Sequence, residues 1–209
     1  ETIEEARISL ARVLLASGQT DAATATAAAL EGSAGSTIMV QARLGQARQL
    51  IDSGDASGAL LLYDQILGEE IDETELIRAA QAGKAEALVQ LGELEPAIRL
   101  WRLLLTDDLP PDERAWIEVQ LGHGLLQGGQ ESEAASAFRS LSLAEDPGIR
   151  YQGILGLAEV ALASGERERS RALYQQVVDR APDPSWQVQA LQELALMATE
   201  DGQTQESLA

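Results

Sequence analysis

The only histidine is the first candidate for a catalytic or metal-binding side chain. His123 lies in the segment LGHGLLQGG, and the chain contains no cysteine. A zinc site needs three or four nitrogen, sulfur or carboxylate ligands, and no carboxylate accompanies His123 at ligand spacing. The lack of cysteine also excludes a thiolate nucleophile and a disulfide framework. We therefore predict no metal site at His123.

Two other segments carry residue types that are common in active sites. Glycines cluster at Gly122, Gly124, Gly128 and Gly129, but the lysine and the preceding strand of a phosphate-binding loop are missing. Helix packing and a turn explain these glycines better. The run GEEIDETE at 68–75 lacks the Asp/Asn alternation of a calcium loop, and carboxylates in a solvated loop are unsuited to acid–base catalysis. We predict a non-catalytic chain without a cofactor.

Composition narrows the fold and the partners. The 209 residues include 34 acidic and 15 basic ones, for a formal charge of −19. Such a surface repels phosphate backbones and anionic lipids, which makes nucleic acid and membrane surfaces poor partners. Leu and Ala dominate the 45% hydrophobic fraction and aromatics make up 3%, a composition typical of helices rather than strands. No apolar run is long enough to span a bilayer.

A regularly spaced glycine sets the organisation of the whole chain. It follows an apolar helical stretch and precedes a short polar one, at Gly18, Gly54, Gly92, Gly129, Gly165 and Gly202. The separations are 36, 38, 37, 36 and 37 residues, which indicates a repeat array rather than scattered loops. Glycine accepts the left-handed conformation that ends a helix, so each position predicts the turn of a helical hairpin.

Small and large residues recur at fixed distances from these glycines. After the turn come a small, a large and an apolar residue at helical spacing, as in Ala59, Tyr63 and Ile66. The equivalent sets are Ala23, Ala27 and Leu30; Ala97, Trp101 and Leu104; Ala134, Phe138 and Leu141; and Ser170, Tyr174 and Val177. Seven residues before the turn stand Ala11, Ala47, Ala85, Gly122, Ala158 and Ala195, followed three later by Leu14, Leu50, Leu88, Leu125, Ala161 and Ala198. These stripes predict the core faces of the two helices in each hairpin.

The glycine register divides the chain into units. We expect repeats at about 4–36, 37–73, 74–110, 111–147 and 148–184, with a partial one at 185–209. Asp146 and Asp183 are predicted N-caps, each followed by a proline at the first helical position. The first residue is Glu and the sixth unit stops early, so we expect a fragment of a longer protein.

A small residue, an aromatic four later, a glycine turn and a closing proline resemble the tetratricopeptide repeat. The resemblance is closest in the repeats that end near Leu109, Asp146 and Pro182, and weakest in the first, where Ala27 replaces the aromatic. The period of 36–38 residues exceeds the usual 34 and is similar to divergent bacterial repeats. The resemblance implies an all-α fold: a right-handed α-solenoid of antiparallel helix pairs, with about five and a half repeats.

In that family the first helices line a concave groove. The resemblance places six residues in it, each six positions before a turn glycine: Arg12, Arg48, Glu86, His123, Glu159 and Leu196. Neighbouring groove positions are Gln41, Leu44, Trp116, Val119, Gln120, Gln152, Leu155, Gln189 and Gln192. The lysines of a carboxylate clamp are absent. Trp116 either faces the groove or packs under the preceding loop, and both readings stay open.

Three functions fit these observations, of which the third is a small-ligand sensor that would require an enclosed apolar pocket lined by the groove residues. The first is a scaffold that docks a segment of a partner protein through Arg12, Arg48, Glu86, Trp116, Gln120, His123 and Glu159, within a bacterial envelope assembly. The second is a regulatory or carrier domain of a larger enzyme whose catalytic part lies outside this chain. The array ends also offer surfaces for a homo-oligomer. The periplasm or envelope is favoured over the cytoplasm by the resemblance and by the lack of cysteine.

Overall fold

A computed structural model of the chain describes residues 3–30, 32–106 and 108–207, without side-chain detail at 33 and 202–207. In this part of the chain there are eleven α-helices and no strand. The chain divides into two compact units, Glu1–Leu104 (unit 1) and Leu105–Ala209 (unit 2).

Unit 1 contains α1 (Ile3–Ala16), α2 (Thr20–Ala27), α3 (Gly32–Asp52), α4 (Ala56–Leu67), α5 (Thr74–Gln90) and α6 (Leu94–Leu104). Unit 2 contains α7 (Pro111–Gln127), α8 (Glu131–Ser142), α9 (Pro147–Ala163), α10 (Arg167–Arg180) and α11 (Pro184–Ser207). Within each unit every helix packs against the next one along the chain. First helices also pack against one another, as α1 does on α3, α3 on α5 and α7 on α9.

Five of the six predicted glycine turns are confirmed. Gly54 has a φ of 85°, and the same left-handed conformation occurs at Gly18, Gly92, Gly129 and Gly165. After α3, the amide of Gly54 donates to Ile51 O at 3.0 Å and the amide of Asp55 donates to Leu50 O at 2.8 Å. This pair of bonds satisfies carbonyls at the helix end and reverses the chain within a few residues.

The sixth predicted turn is wrong. Helix α11 runs from Pro184 to Ser207 and passes through Gly202 without reversing. Glycine inside a helix costs only about 1 kcal/mol relative to alanine, so a glycine alone does not impose a turn. Just before it, Asp201 accepts hydrogen bonds from Arg167 at 2.8 Å and from Arg171 at 2.6 Å, which hold this part of α11 against α10.

The register predicted for α11 fails for the same reason. Ala195 and Ala198, predicted as core residues by counting back from Gly202, are exposed. The buried residues are Ala190 and Met197, at 0% and 1% exposure, which pack in the core cluster that contains Tyr174 of α10.

The second helices bury the predicted stripe. Ala59, Tyr63 and Ile66 of α4 are 0%, 2% and 0% exposed. Equally buried are Ala23, Ala27, Ala97, Trp101, Leu104, Ala134, Phe138, Leu141, Ser170, Tyr174 and Val177. Leu30 alone is half-buried. The core role predicted for these positions is therefore confirmed at all but one.

Glycines of the first helices make room for the aromatic rings of the second helices. A Cβ atom at Gly83 of α5 would lie 2.2 Å from Cζ of Tyr63. Phe138 is enclosed in the same way, since a Cβ at Gly122 would lie 2.5 Å from its Cζ and one at Gly156 would lie 2.2 Å from its Cδ1. Helix pairs in both units thus approach closely at these two rings.

Helix starts depend on local capping. Asp146 accepts a hydrogen bond from the amide of Ile149 at 3.0 Å, which confirms it as the N-cap of α9, with Pro147 at the first helical position. Helix α3 begins at Gly32, ahead of the predicted second-repeat start at residue 37. No helix in the described ranges is long and apolar enough to cross a membrane.

Candidate functional site

The predicted groove residues fall in two separate units. Arg12, Arg48 and Glu86 lie on α1, α3 and α5 of unit 1. Trp116, Gln120 and His123 lie on α7 of unit 2, and Glu159 lies on α9. The site is therefore two first-helix faces, one in each unit.

Unit 1 has an open cleft on this face, which we term the α1–α3 cleft. It measures about 630 Å³ and is lined by Arg12, Leu15, Ala16, Thr20, Gln41 and Gly45. Arg12 and Gln41 were predicted as groove residues, and both are exposed. The structure thus brings these two predicted residues together at one cleft.

Hydrogen bonds fix the base of the α1–α3 cleft. Gln49 of α3 donates to the carbonyl of Gly18 at 3.1 Å and accepts from the hydroxyl of Thr20 at 3.2 Å. Gln46 donates to Asp21 at 2.7 Å. A Cβ at Gly45 would lie 2.7 Å from Cγ2 of Thr20, so α3 passes close to the start of α2. The cleft is formed by helices that are tied together rather than by a loop.

The two arginines of this face are available to a partner. Within the described residues, Arg12 and Arg48 have no carboxylate within 4 Å, and both are exposed. Two other cations of unit 1 are paired: Lys84 lies 2.5 Å from Asp64, and Arg43 is paired with Glu69. Unpaired guanidinium groups are strong donors to carboxylates, which makes this the face of unit 1 suited to an acidic group.

An electrostatic cluster lies beside the next turn of α3 and consists of Arg48, Glu86 and Tyr63. Burial raises the pKa of the Glu86 carboxyl, Arg48 opposes this shift, and Asp52 adds to it. Burial, followed by the charge of Glu86, raises the pKa of the Tyr63 phenol to about 12. The phenol is therefore neutral at physiological pH, while ionisation of Glu86 is disfavoured mainly by desolvation.

The face of unit 2 carries a polar stripe along α7. Trp116, Gln120 and His123 are spaced at i, i+4 and i+7, which places them on one side of the helix. Nδ1 of His123 lies 3.1 Å from Oε2 of Glu159 on α9, and its ring packs edge-on to Phe138 at 5.2 Å between centroids. The side chains of His123 and Glu159 are 38% and 30% exposed. This pair joins α7 to α9.

Two of the predictions for this face concern Trp116 and Leu155. Trp116 is 38% exposed, so it contributes aromatic surface to the α7 face. Leu155 was predicted to line the groove. This prediction is wrong, because Leu155 is only 4% exposed. Helix α9 packs against α7, α8 and α10, which leaves little of its apolar surface free. Gln152, one turn earlier, is exposed.

Sequence reasoning missed Thr20 and Gly45 in the α1–α3 cleft. A glycine inside the long helix α3 has no turn to make, and such a glycine commonly marks a close approach of another backbone or side chain. That signal could have identified Gly45, whereas nothing in the spacing singles out Thr20.

The side chains of both faces can take part in recognition. Within the described ranges, no group of three or more His, Asp or Glu side chains is placed to hold a metal ion. The groups present are guanidinium donors, amides, one indole and one imidazole–carboxylate pair. Charge complementarity, hydrogen bonding and aromatic packing are the interactions these groups can make with a protein segment.

Comparisons with known proteins agree with this architecture. Residues 125–195 match the family model described as tetratricopeptide repeat. No curated protein sequence matches the chain.

Among solved structures, the chain is similar to YrrB, described as a tetratricopeptide protein with an unusual peptide-binding site (16% identity, 89% of this chain and 90% of that one, TM-score 0.62). It is also similar to TTC0263, a tetratricopeptide protein of Thermus thermophilus (21% identity, 92% and 99%, TM-score 0.57). A third similar structure is pilF of Pseudomonas aeruginosa (20% identity, 82% and 73%, TM-score 0.56). These matches confirm the predicted fold class of tetratricopeptide-like helix pairs and, over residues 125–195, the resemblance to the family.

Proposed function

We propose that this tetratricopeptide-repeat chain is a non-catalytic scaffold that docks a segment of a partner protein on its first-helix faces. The fold belongs to a class whose general use is protein–protein interaction. Similarity to YrrB, described as having a peptide-binding site, is consistent with a peptide ligand.

The α1–α3 cleft carries the proposal. Its rim presents Arg12 and Gln41, and Arg48 stands one to two turns further along α3. Because both guanidinium groups lack an ion-pair partner within the described residues, they attract an acidic side chain. The cleft is open rather than enclosed, which suits a peptide backbone with one or two anchoring side chains better than a metabolite. The segment bound in unit 1 is therefore acidic.

The α7 face supports a second contact of a different kind. Trp116 offers exposed aromatic surface, and Gln120 offers amide donors and acceptors beside it. Glu159 and His123 present a carboxylate and an imidazole that lie 3.1 Å apart. We expect this face to bind an apolar or polar side chain of the segment rather than a carboxylate, because Glu159 repels one.

Charge reversal tests the docking site. The variant Arg12→Glu/Arg48→Glu is compared with Arg102→Glu/Arg139→Glu, which makes the same charge change at exposed positions on second helices. We expect the first variant to lose at least about tenfold in affinity for the partner and the second to stay within about twofold. Equal losses for the two variants would show that net charge, not this cleft, governs binding.

Site-specific cross-linking in native cells identifies the partner and the face together. A photo-reactive residue at Gln41 is compared with one at Ser57, an exposed position on the second helix α4. The scaffold proposal expects a discrete adduct from Gln41 and none from Ser57. An adduct whose peptide derives from a covalently linked catalytic domain of the same polypeptide would instead favour the carrier-domain alternative.

We also propose a bacterial envelope location. The lack of cysteine fits an oxidising compartment such as the envelope, and similar solved structures include bacterial ones from Thermus thermophilus and Pseudomonas aeruginosa. Fractionation of native cells with an antibody to this chain tests the location: recovery with periplasmic and envelope markers supports it, and recovery with cytoplasmic markers contradicts it.

A further inference from the structure

A second cleft in unit 1 is built from other residues than the α1–α3 cleft. It measures about 470 Å³ and lies between α4, α5 and α6; we term it the α4–α6 cleft. Its apolar surface comes from Leu60, Leu88, Pro96, Leu100 and Leu103. Leu88 is 5% exposed and forms the base, whereas Leu103 is 63% exposed and stands at the rim.

Helix α6 is apolar on two sides. Its inner side buries Ile98 and Trp101, both at 0% exposure. Its outer side presents Pro96, Leu100 and Leu103 to the cleft at i, i+4 and i+7. A surface helix normally has one apolar stripe, and a second exposed one marks an interaction surface. The α4–α6 cleft is that surface in unit 1.

The charges at the rim restrict what can bind. Lys84 and Asp64 lie 2.5 Å apart and neutralise each other. Glu93, in the turn before α6, and Arg99, on α6, line the cleft without a partner in the part of the chain that the structure describes. They are six residues apart in the sequence. The cleft therefore presents a leucine-lined surface between one free acid and one free base.

We propose that the α4–α6 cleft docks an amphipathic helix of a partner protein. The helix carries a basic residue, two leucine-class residues and an acidic residue at i, i+3, i+4 and i+7, all on one side. Its basic residue faces Glu93 and its acidic residue faces Arg99. Its apolar residues cover Leu88, Leu100 and Leu103. This site uses none of the residues of the α1–α3 cleft, so it is independent of the function proposed above.

A synthetic peptide tests the proposal without knowledge of the natural partner. The probe is a fluorescein-labelled, alanine-based helix of about 18 residues with Lys, Leu, Leu and Asp at i, i+3, i+4 and i+7. Binding to the full chain is measured by fluorescence anisotropy. We expect saturable binding that Leu103→Glu weakens at least tenfold. Leu61→Glu is the matched control, since Leu61 is 60% exposed on α4 and does not line the cleft; it leaves affinity within about twofold.

Charge exchange establishes the role of Arg99. We expect Arg99→Glu to weaken the probe at least fivefold, and a probe with Lys in place of Asp to regain affinity for that variant. Arg12→Glu, in the other cleft, leaves binding of the probe unchanged. No binding to the wild-type chain, equal weakening by Leu61→Glu, or no recovery with the exchanged pair would each overturn the proposal. A concentration-dependent dimer in sedimentation velocity that Leu103→Glu abolishes would also overturn it, because a second copy would then fill the cleft.

Discussion

The contact between Gly83 and Tyr63 gives the sharpest prediction about how the repeats hold together. Gly83 lies in the middle of α5, where glycine is a poor helix former. A Cβ there would lie 2.2 Å from Cζ, 2.3 Å from the hydroxyl oxygen and 2.6 Å from Cε1 of Tyr63. The Tyr63 side chain is 2% exposed, so the ring has little room to move away. Gly83→Ala therefore overpacks the interface between α4 and α5.

The expected change in the free energy of unfolding is the balance of two opposing effects. Overpacking a core typically costs about 1–3 kcal/mol, and three contacts this short place the cost near the upper end. Replacing glycine by alanine inside a helix stabilises the helix by about 1 kcal/mol. We expect Gly83→Ala to lower the free energy of unfolding by about 2 kcal/mol. In a Tyr63→Leu background the ring atoms are absent, and Gly83→Ala should raise the free energy of unfolding by about 1 kcal/mol.

Urea unfolding followed by circular dichroism measures all four members of this cycle. Gly68→Ala is the control, because Gly68 has a φ of −85° and a Cβ there would have its nearest contact at 3.4 Å. It should be neutral or raise stability by up to about 1 kcal/mol. If Gly83→Ala were equally destabilising with and without the tyrosine ring, the ring contact would not be its cause and this reasoning would be refuted.

Three further changes test other parts of the structure. Gly165→Ala places a side chain at a φ of 77° and should cost about 1–2 kcal/mol, measured by urea unfolding; no loss would contradict the turn described here. Asp146→Ala removes the N-cap of α9 and should cost about 1 kcal/mol, whereas Asp146→Asn, which keeps an acceptor, should cost less. Glu86→Gln should raise thermal stability at pH 7, because the raised pKa of the Glu86 carboxyl means that its ionisation opposes folding. This gain in stability develops as pH rises through the pKa that the carboxyl has in the folded protein. The gain vanishes below about pH 4. A gain that persisted at about pH 3 would refute the burial of this charge.

The sequence was sufficient to predict features that arise from local chemistry. A glycine after each apolar stretch predicted five of the turns, because only the left-handed conformation reverses the chain so quickly. The stripe that includes Tyr63 and Ile66 predicted the core, since helical spacing determines which residues share a face.

Features that arise from packing could not be predicted. Gly202 has the same local sequence character as the other turn glycines, but α11 continues through it, and its neighbour Asp201 is held by arginines of α10. Leu155 has groove spacing and is buried because α9 has neighbours on several sides. The exposure of Trp116 depends in the same way on contacts that spacing does not encode.

Hydrogen–deuterium exchange of the chain with and without its cross-linked partner segment tests whether the partner docks on the first-helix face. We expect slower amide exchange in α1 and α3, around Arg12, Gln41 and Arg48, and smaller changes in α2 and α4. Protection confined to the second helices, with α1 and α3 unchanged, would contradict docking on the first-helix face.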